Sequence, residues 1–208
     1  MKIVMMGPQG SGKGTQAKML SQRLHIPHIS TGDLLRDIAR GENDFGSRVR
    51  KIIDAGMLVD DGTMLEIVRN RLARDDCKQG FILDGYPRTL KQVHDLEKTT
   101  TVNAVLVVTI SENETIRRLR GRQTCKLCGA VYGHDMKEKR TGICDACGGT
   151  LYVRDDEHDE AIRKRLHLYE QNTKPVVAYY KQKHLVEEID GERQPDVIFH
   201  DICRRLDF

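Results

Sequence analysis

The chain has 208 residues, 38% of them hydrophobic, which is enough to bury one substantial core and fits a single main domain carrying insertions. Lys and Arg total 34 against 31 Asp and Glu, so the net charge of +3 is too small to drive electrostatic capture of nucleic acid or an anionic membrane. No apolar stretch approaches the roughly 18 residues of a membrane span, and the chain reads as soluble and cytoplasmic.

Taken in chain order, apolar runs that read as buried strands occur at Ile3 to Met6, Phe81 to Leu83, Ala104 to Ile110 and around Leu185 to Ile189. Charged, helix-periodic stretches lie between them, the strongest being Thr15 to Leu24, Thr63 to Arg74, Glu114 to Arg120 and Ala161 to Lys183. This alternation predicts an α/β fold, a parallel sheet covered by helices on both faces. Ser30-Thr31-Gly32-Asp33 predicts a turn and cap opening a short helix. Two stretches fit the core pattern poorly, Ser30 to about Val59 and about Arg122 to Glu157, and both read as insertions at the edge of the sheet.

The first strand runs into Gly7-Pro8-Gln9-Gly10-Ser11-Gly12-Lys13-Gly14-Thr15, which in turn opens a helix. This is the context a phosphate-binding loop requires. Backbone N–H groups of Gly10, Ser11, Gly12, Lys13, Gly14 and Thr15, aided by the positive end of the helix, would wrap a nucleotide's phosphates while Lys13 reaches the terminal ones. Gly14 stands where such loops usually carry Ser or Thr, with Thr15 one place later, which argues against a generic GTPase or motor.

Cys125-Lys126-Leu127-Cys128 and Cys144-Asp145-Ala146-Cys147 are separated by fifteen residues, a spacing suited to a closed tetrahedral metal site. Neither pair opens a helix in a redox context, and both are followed by glycine, as in a zinc ribbon. Zinc is the expected ion, although iron also takes four thiolates. His134 reads as solvated rather than as a ligand. Cys77 and Cys203 stand alone and read as small apolar residues.

Gly-Lys-Gly-Thr-Gln, together with Ser30-Thr31-Gly32-Asp33-Leu34-Leu35-Arg36, Asp84-Gly85-Tyr86-Pro87-Arg88-Thr89 and the arginines flanking the cysteine pairs, resembles the adenylate kinase family over nearly the whole chain. The resemblance implies a phosphate-loop three-layer fold with about five parallel strands. Its core would comprise residues 1–29, 60–121 and 158–208, with an AMP-binding insertion at 30–59 and a zinc-bearing lid at 122–157. It implies transfer of a phosphoryl group from magnesium-ATP to AMP, giving two ADP, with Mg2+ accompanying ATP and Zn2+ structural in the lid. Lys13 would supply charge at the transferring group and Asp84 would orient hydrated magnesium. By the same resemblance Arg36 and Arg88 grip the acceptor phosphate, a task suited to a planar guanidinium. Thr31 and Gln92 read the acceptor base, with Met57, Leu58 and Val59 lining it and Gly85, Tyr86 and Pro87 shaping the turn. Arg118, Arg122, Arg154 and Arg165 would contact the transferring phosphates or their flanks, with Asp156 beside them. Val131 and Tyr132 would cover the donor nucleotide, and Arg193 lies in a segment resembling the loop on the donor adenine. Asp155-Asp156-Glu157 departs from the family's usual pattern at the lid hinge, and Arg163 reads as helix surface.

Two other readings compete. A nucleotide-gated protein holding RNA or DNA on its ribbon would use Lys137, Lys139 and Arg140, but aromatic content of 5% with no Trp leaves few stacking platforms. The same enzyme class with UMP, CMP or GMP as acceptor is disfavoured by Thr31 and Gln92. With no heptad or apolar stripe, the chain is expected to be a monomer.

Overall fold

The computed structural model of the chain describes residues 1–133, 136–154 and 158–207. Five parallel strands, β1 (Lys2–Met6), β2 (His28–Ser30), β3 (Phe81–Asp84), β4 (Ala104–Thr109) and β8 (Val186–Asp190), form the central sheet in the order β2-β3-β1-β4-β8. The period-two geometry of a strand sends alternate side chains to opposite faces, and the core divides accordingly. Val4, Met6, Leu83, Val105 and Val107 enter one cluster, while Ile3, Met5, Ile82, Leu106 and Val108 enter the other. The second cluster is covered by α1 (Lys13–Leu24) and α9 (Pro195–Arg205) through Ala17, Leu20, Ile198 and Ile202. Helices α2 (Thr31–Ala39), α3 (Asp44–Asp54), α4 (Asp61–Leu72), α5 (Leu90–Thr99) and α8 (Lys174–Gln182) contribute to the first.

The expected layers and strands are present, with β2 as an additional edge strand. One expectation is corrected. The single helix predicted over Ala161 to Lys183 is divided into α7 (Asp159–Leu168), a π-helical turn at Tyr169–Thr173 and α8. Pro175, in the first turn of α8, has no N–H to donate and would clash with a carbonyl one turn back, so the ladder widens there.

After α6 (Glu112–Leu119) the chain leaves the sheet for a three-stranded antiparallel ribbon in the order β6-β5-β7, built from β5 (Gln123–Cys125), β6 (Val131–Tyr132) and β7 (Leu151–Tyr152). Cys125, Tyr132, Cys144 and Leu151 form its own small core. Among the described residues no helix is long and apolar enough to cross a membrane.

Candidate active site

The register of the sheet aligns Asp84, at the end of β3, with Met5 on β1 and Ser30 on β2. The loop after β1, the turn after β3 and the start of α2 therefore emerge side by side at the carboxyl edge, where open parallel sheets bind ligands. Gly7 opens the first loop at φ +135°, and a Cβ there would lie 2.1 Å from the carbonyl oxygen of Val108, so only glycine passes so close to β4. The loop ends at Gly12, the N-cap of α1, which offers no capping side chain, and no acidic residue occupies that helix's first turn. The first turn of α1 thus carries no compensating side chain of its own. Ser11 is fully buried, and among the described residues its hydroxyl has no partner.

Lys13 donates from Nζ to the carbonyl of Pro8 at 2.7 Å. The residue is half-buried at the edge of the cleft, and burial pulls its pKa from the ordinary 10.5 down to about 8. Asp84 opposes that shift, while Arg88, Arg165 and Arg122 reinforce it. Asp84 is itself half-buried, which favours its neutral form, yet His28 (Nε2 to Oδ2, 3.4 Å) and Lys13 more than offset this and hold its carboxyl below the usual range. A Cβ on Gly14 would lie 3.6 Å from Asp84 Oδ2, so that carboxylate faces the phosphate-type loop where the usual hydroxyl is missing.

The turn after β3 is pinned at several points. Gly85 stands at φ +82°, and a Cβ there would lie 2.8 Å from Thr31 Oγ1 and 3.0 Å from Arg88 Nη2. The Tyr86–Pro87 bond is cis, and the Tyr86 side chain is 1% exposed beneath the turn. The Arg88 backbone N–H donates to Gln92 Oε1 (2.7 Å), its carbonyl accepts from the Thr173 hydroxyl (3.3 Å), and its Nε donates to the Gly85 carbonyl (2.7 Å). The π-helical turn thus has a consequence here, since it brings Thr173 against Arg88.

Two adjoining cavities open along this edge. The first runs past Gln9, Lys13, Pro87 and Tyr169; the second past Thr31, Arg36, Met57, Val59 and Gln92. Leu58, Gly85, Arg88 and Arg165 line both, so two guanidinium groups sit where the cavities meet. Arg36 Nη2 also pairs with Asp33 Oδ1 at 2.5 Å. Residues expected to act together from widely separated motifs therefore share one bipartite cleft.

The remaining expected residues lie around it. Arg118 donates to Glu114 Oε1 (2.6 Å), to the carbonyl of Gly191 (2.8 Å) and to that of Gly10 (3.5 Å), linking the loop after β8 to the loop after β1. Its partner Glu114 is held down to about pKa 2, chiefly by hydrogen bonding from Arg117 and then from Arg118 against the opposing effect of burial. Arg122 lies within electrostatic reach of Lys13, and Arg154 Nε donates to Thr124 Oγ1 at 3.0 Å. Arg193 is engaged by Asp201 at 2.8 Å and by the Asp190 carbonyl at 3.2 Å. Val131 is exposed, whereas the Tyr132 side chain turns into the ribbon core and its hydroxyl lies 3.5 Å from Cys144 Sγ. Asp156 and His134 lie outside the described residues.

The four cysteines converge as expected: the sulfur atoms of Cys125, Cys128, Cys144 and Cys147 all lie within 4.8 Å of one another, and none is disulfide-bonded. Cys125 to Cys147 is 3.5 Å and Cys128 to Cys144 is 3.6 Å, close to the edges of a thiolate tetrahedron around one metal ion. Sequence reasoning missed His28, Asp61, Thr173 and Glu114. Only Glu114 carried a signal, its three- and four-residue spacing to Arg117 and Arg118.

The sequence model of the family described as Adenylate kinase matches residues 5–185. An adenylate kinase of Methanocella arvoryzae is 42% identical over 208 residues, covering 97% of this chain and 96% of the relative. One of Syntrophotalea carbinolica is 46% identical over 197 residues, covering 92% and 91%, and one of Archaeoglobus fulgidus is 41% identical over 209 residues, covering 97% and 96%. With this cleft, and with matches spanning almost the full length of each relative, the chain belongs to the adenylate kinase family.

Proposed function

We propose that the chain transfers the terminal phosphoryl group of ATP to AMP reversibly, giving two ADP, with the donor in the Lys13 cavity and the acceptor in the Thr31–Gln92 cavity. The observation that carries this reading is the meeting of the two cavities at Arg88 and Arg165, which would bring a donor and an acceptor phosphate face to face. Phosphoryl transfer demands alignment and neutralisation of charge on the transferring group and little covalent chemistry from the protein.

The geometry supports these roles. The start of α1, with no compensating side chain in its first turn, and the loop N–H groups would hold the donor's phosphates. Lys13, released from the Pro8 carbonyl, would pair with the terminal phosphate, and the anion would restore its charged state. Arg88, fixed through its backbone and Nε, would turn its guanidinium to the acceptor phosphate in line with the donor. Arg36 would grip that same phosphate from the first turns of α2. Arg122, Arg154 and Arg165, reaching the cleft from the two ends of the ribbon segment, would gather round the transferring group as that segment closes and excludes water. Met57, Leu58 and Val59 would wall the acceptor base and Gln92 would read it.

The ionised Asp84 beside Gly14 suits hydrated Mg2+, which with ATP would supply charge neutralisation at the phosphates. The four thiols suit Zn2+; with all four positions supplied by protein, that ion would be structural. We assign residues 30–59 and 122–157 as the acceptor-binding and lid insertions, and the chain as a cytoplasmic monomer that does not bind nucleic acid, in line with its low net charge and few aromatics.

The test is ADP formation from magnesium-ATP with AMP, UMP, CMP or GMP offered separately, in buffer without strong chelators. Rapid ADP formation with AMP alone is expected. Preference for another acceptor would overturn the base-site assignment while leaving the transfer mechanism standing, and no transfer to any acceptor would overturn both.

A further inference from the structure

Gln92 is 2% exposed, lines the second cavity, and has one partner at each end of its amide. Nε2 donates to Asp61 Oδ1 at 2.8 Å, and Oε1 accepts from the backbone N–H of Arg88 at 2.7 Å. The Thr89 hydroxyl donates to the same Asp61 oxygen at 3.2 Å. A carboxylate can only accept and a backbone N–H can only donate, so these partners decide which end of the amide is oxygen. A flipped amide would set its NH2 against the Arg88 N–H and its oxygen against the Asp61 carboxylate. A primary amide has two N–H bonds and two oxygen lone pairs. With one of each engaged, one donor and one acceptor remain, in a fixed order.

That order has a chemical meaning. On its Watson–Crick edge a 6-aminopurine presents an exocyclic amine donor beside a ring-nitrogen acceptor, while a 6-oxopurine presents the reverse there, a carbonyl acceptor beside a ring N–H. An amide locked in one orientation matches the first and meets the second with like facing like; free to flip, it would serve both.

We propose that Asp61 is a positioning residue that sets acceptor-base specificity, holding Gln92 in the one amide orientation that selects a 6-aminopurine over a 6-oxopurine. The proposal rests on the reading in which Gln92 faces the acceptor base. Helix capping does not account for the carboxylate, because the N-cap of α4 is Asp60, which accepts from the Thr63 N–H at 2.9 Å. Asp61 needs no contact with substrate; it acts through an amide that is otherwise symmetric in shape.

The experiment compares kcat/KM for AMP and IMP, with magnesium-ATP fixed, in the wild type, Asp61→Asn, Gln92→Leu and the double variant. Asn is isosteric with Asp but can donate or accept as it turns, so it removes the Asp61 half of the lock with little change of shape and leaves the Arg88 N–H as the other half. The AMP-to-IMP ratio should fall at least about tenfold in Asp61→Asn, mainly through a gain with IMP, because a hydrogen-bonding site discriminates by leaving wrong partners unpaired. Asp61→Ala should move the ratio in the same direction. In the Gln92→Leu background, Asp61→Asn should change the ratio no further. A ratio compares two substrates on one preparation, so lost folded enzyme cancels from it. A wild-type ratio retained within twofold in Asp61→Asn, or an equal fall with and without the Gln92 amide, would overturn the proposal. A wild type that uses IMP as well as AMP would instead overturn the base reading beneath it.

Discussion

Replacing Lys13 with Met should make the unliganded protein more stable while disabling it. Charging Lys13 inside the fold is unfavourable, as its descent from 10.5 to about 8 records, and each pH unit of that descent is worth about 1.4 kcal/mol. The ammonium therefore costs the folded state roughly 3 kcal/mol relative to the unfolded chain, a figure that already contains the attraction of Asp84. Met fills similar space without charge, and loss of the hydrogen bond to the Pro8 carbonyl takes back about 1 kcal/mol. The net gain of about 2 kcal/mol corresponds to a rise of about 4–8 °C in Tm for a chain of this size. The sign with pH is fixed. Because the folded pKa lies below the unfolded one, the unfolded chain binds more protons between pH 8 and 10.5, and wild-type stability rises across that window. The advantage of the Met variant should therefore be full at pH 7 and much reduced at pH 10. Thermal denaturation without nucleotide at the two pH values is the assay, with turnover in parallel expected to fall by at least about a hundredfold. A variant that melts no higher than wild type at pH 7, or whose advantage is the same at pH 10, would refute the reasoning.

Gly85→Ala should lose about 2 kcal/mol in denaturant unfolding from left-handed strain and crowding, and should raise KM for AMP more than for ATP, because the new methyl presses on Thr31 and Arg88. Arg88→Lys keeps the charge but loses the planar fork, so kcat should fall by about a hundredfold with little change in Tm; a near-normal kcat would remove Arg88 from the transfer step. A strong chelator should release one zinc ion per chain, seen with a chromophoric indicator, and lower the Tm by more than about 10 °C, as should Cys144→Ser, while added zinc restores only the chelated wild type. Release of no metal, or a Tm unmoved by its release, would contradict a structural ion.

What was legible in the sequence was whatever one local pattern dictates. β1, β3 and β4 are short apolar runs buried on both faces, and the glycine-rich loop follows β1 without a gap, so spacing alone placed Lys13 at the start of α1. The cysteine spacing did the same for the ribbon. α3 and α5 escaped although each carries an apolar stripe at helical spacing, Phe45, Val49, Ile52 and Ile53 in the first and Leu90, Val93 and Leu96 in the second. β2, with three residues and one buried side chain, is an edge strand recognisable only from its partner β3. Pro175 was the overlooked signal for the break between α7 and α8. In the cleft, residues inside the family's motifs were found, charged or not, whereas those that orient others from outside the motifs were not. Asp61 looks like one more acid at a helix start until Gln92 is seen against it, and Tyr132 faces its ribbon core because side chains on a strand alternate.

The central claim is direct transfer between two nucleotides held in one cleft, and a single turnover with ATP labelled in its terminal phosphate, magnesium and unlabelled AMP tests it most directly. The label should appear in the terminal phosphate of ADP at the rate at which ATP disappears, with inorganic phosphate near background. Label recovered mainly as inorganic phosphate, with AMP unchanged, would mean that the cleft delivers the phosphoryl group to water and would contradict the account.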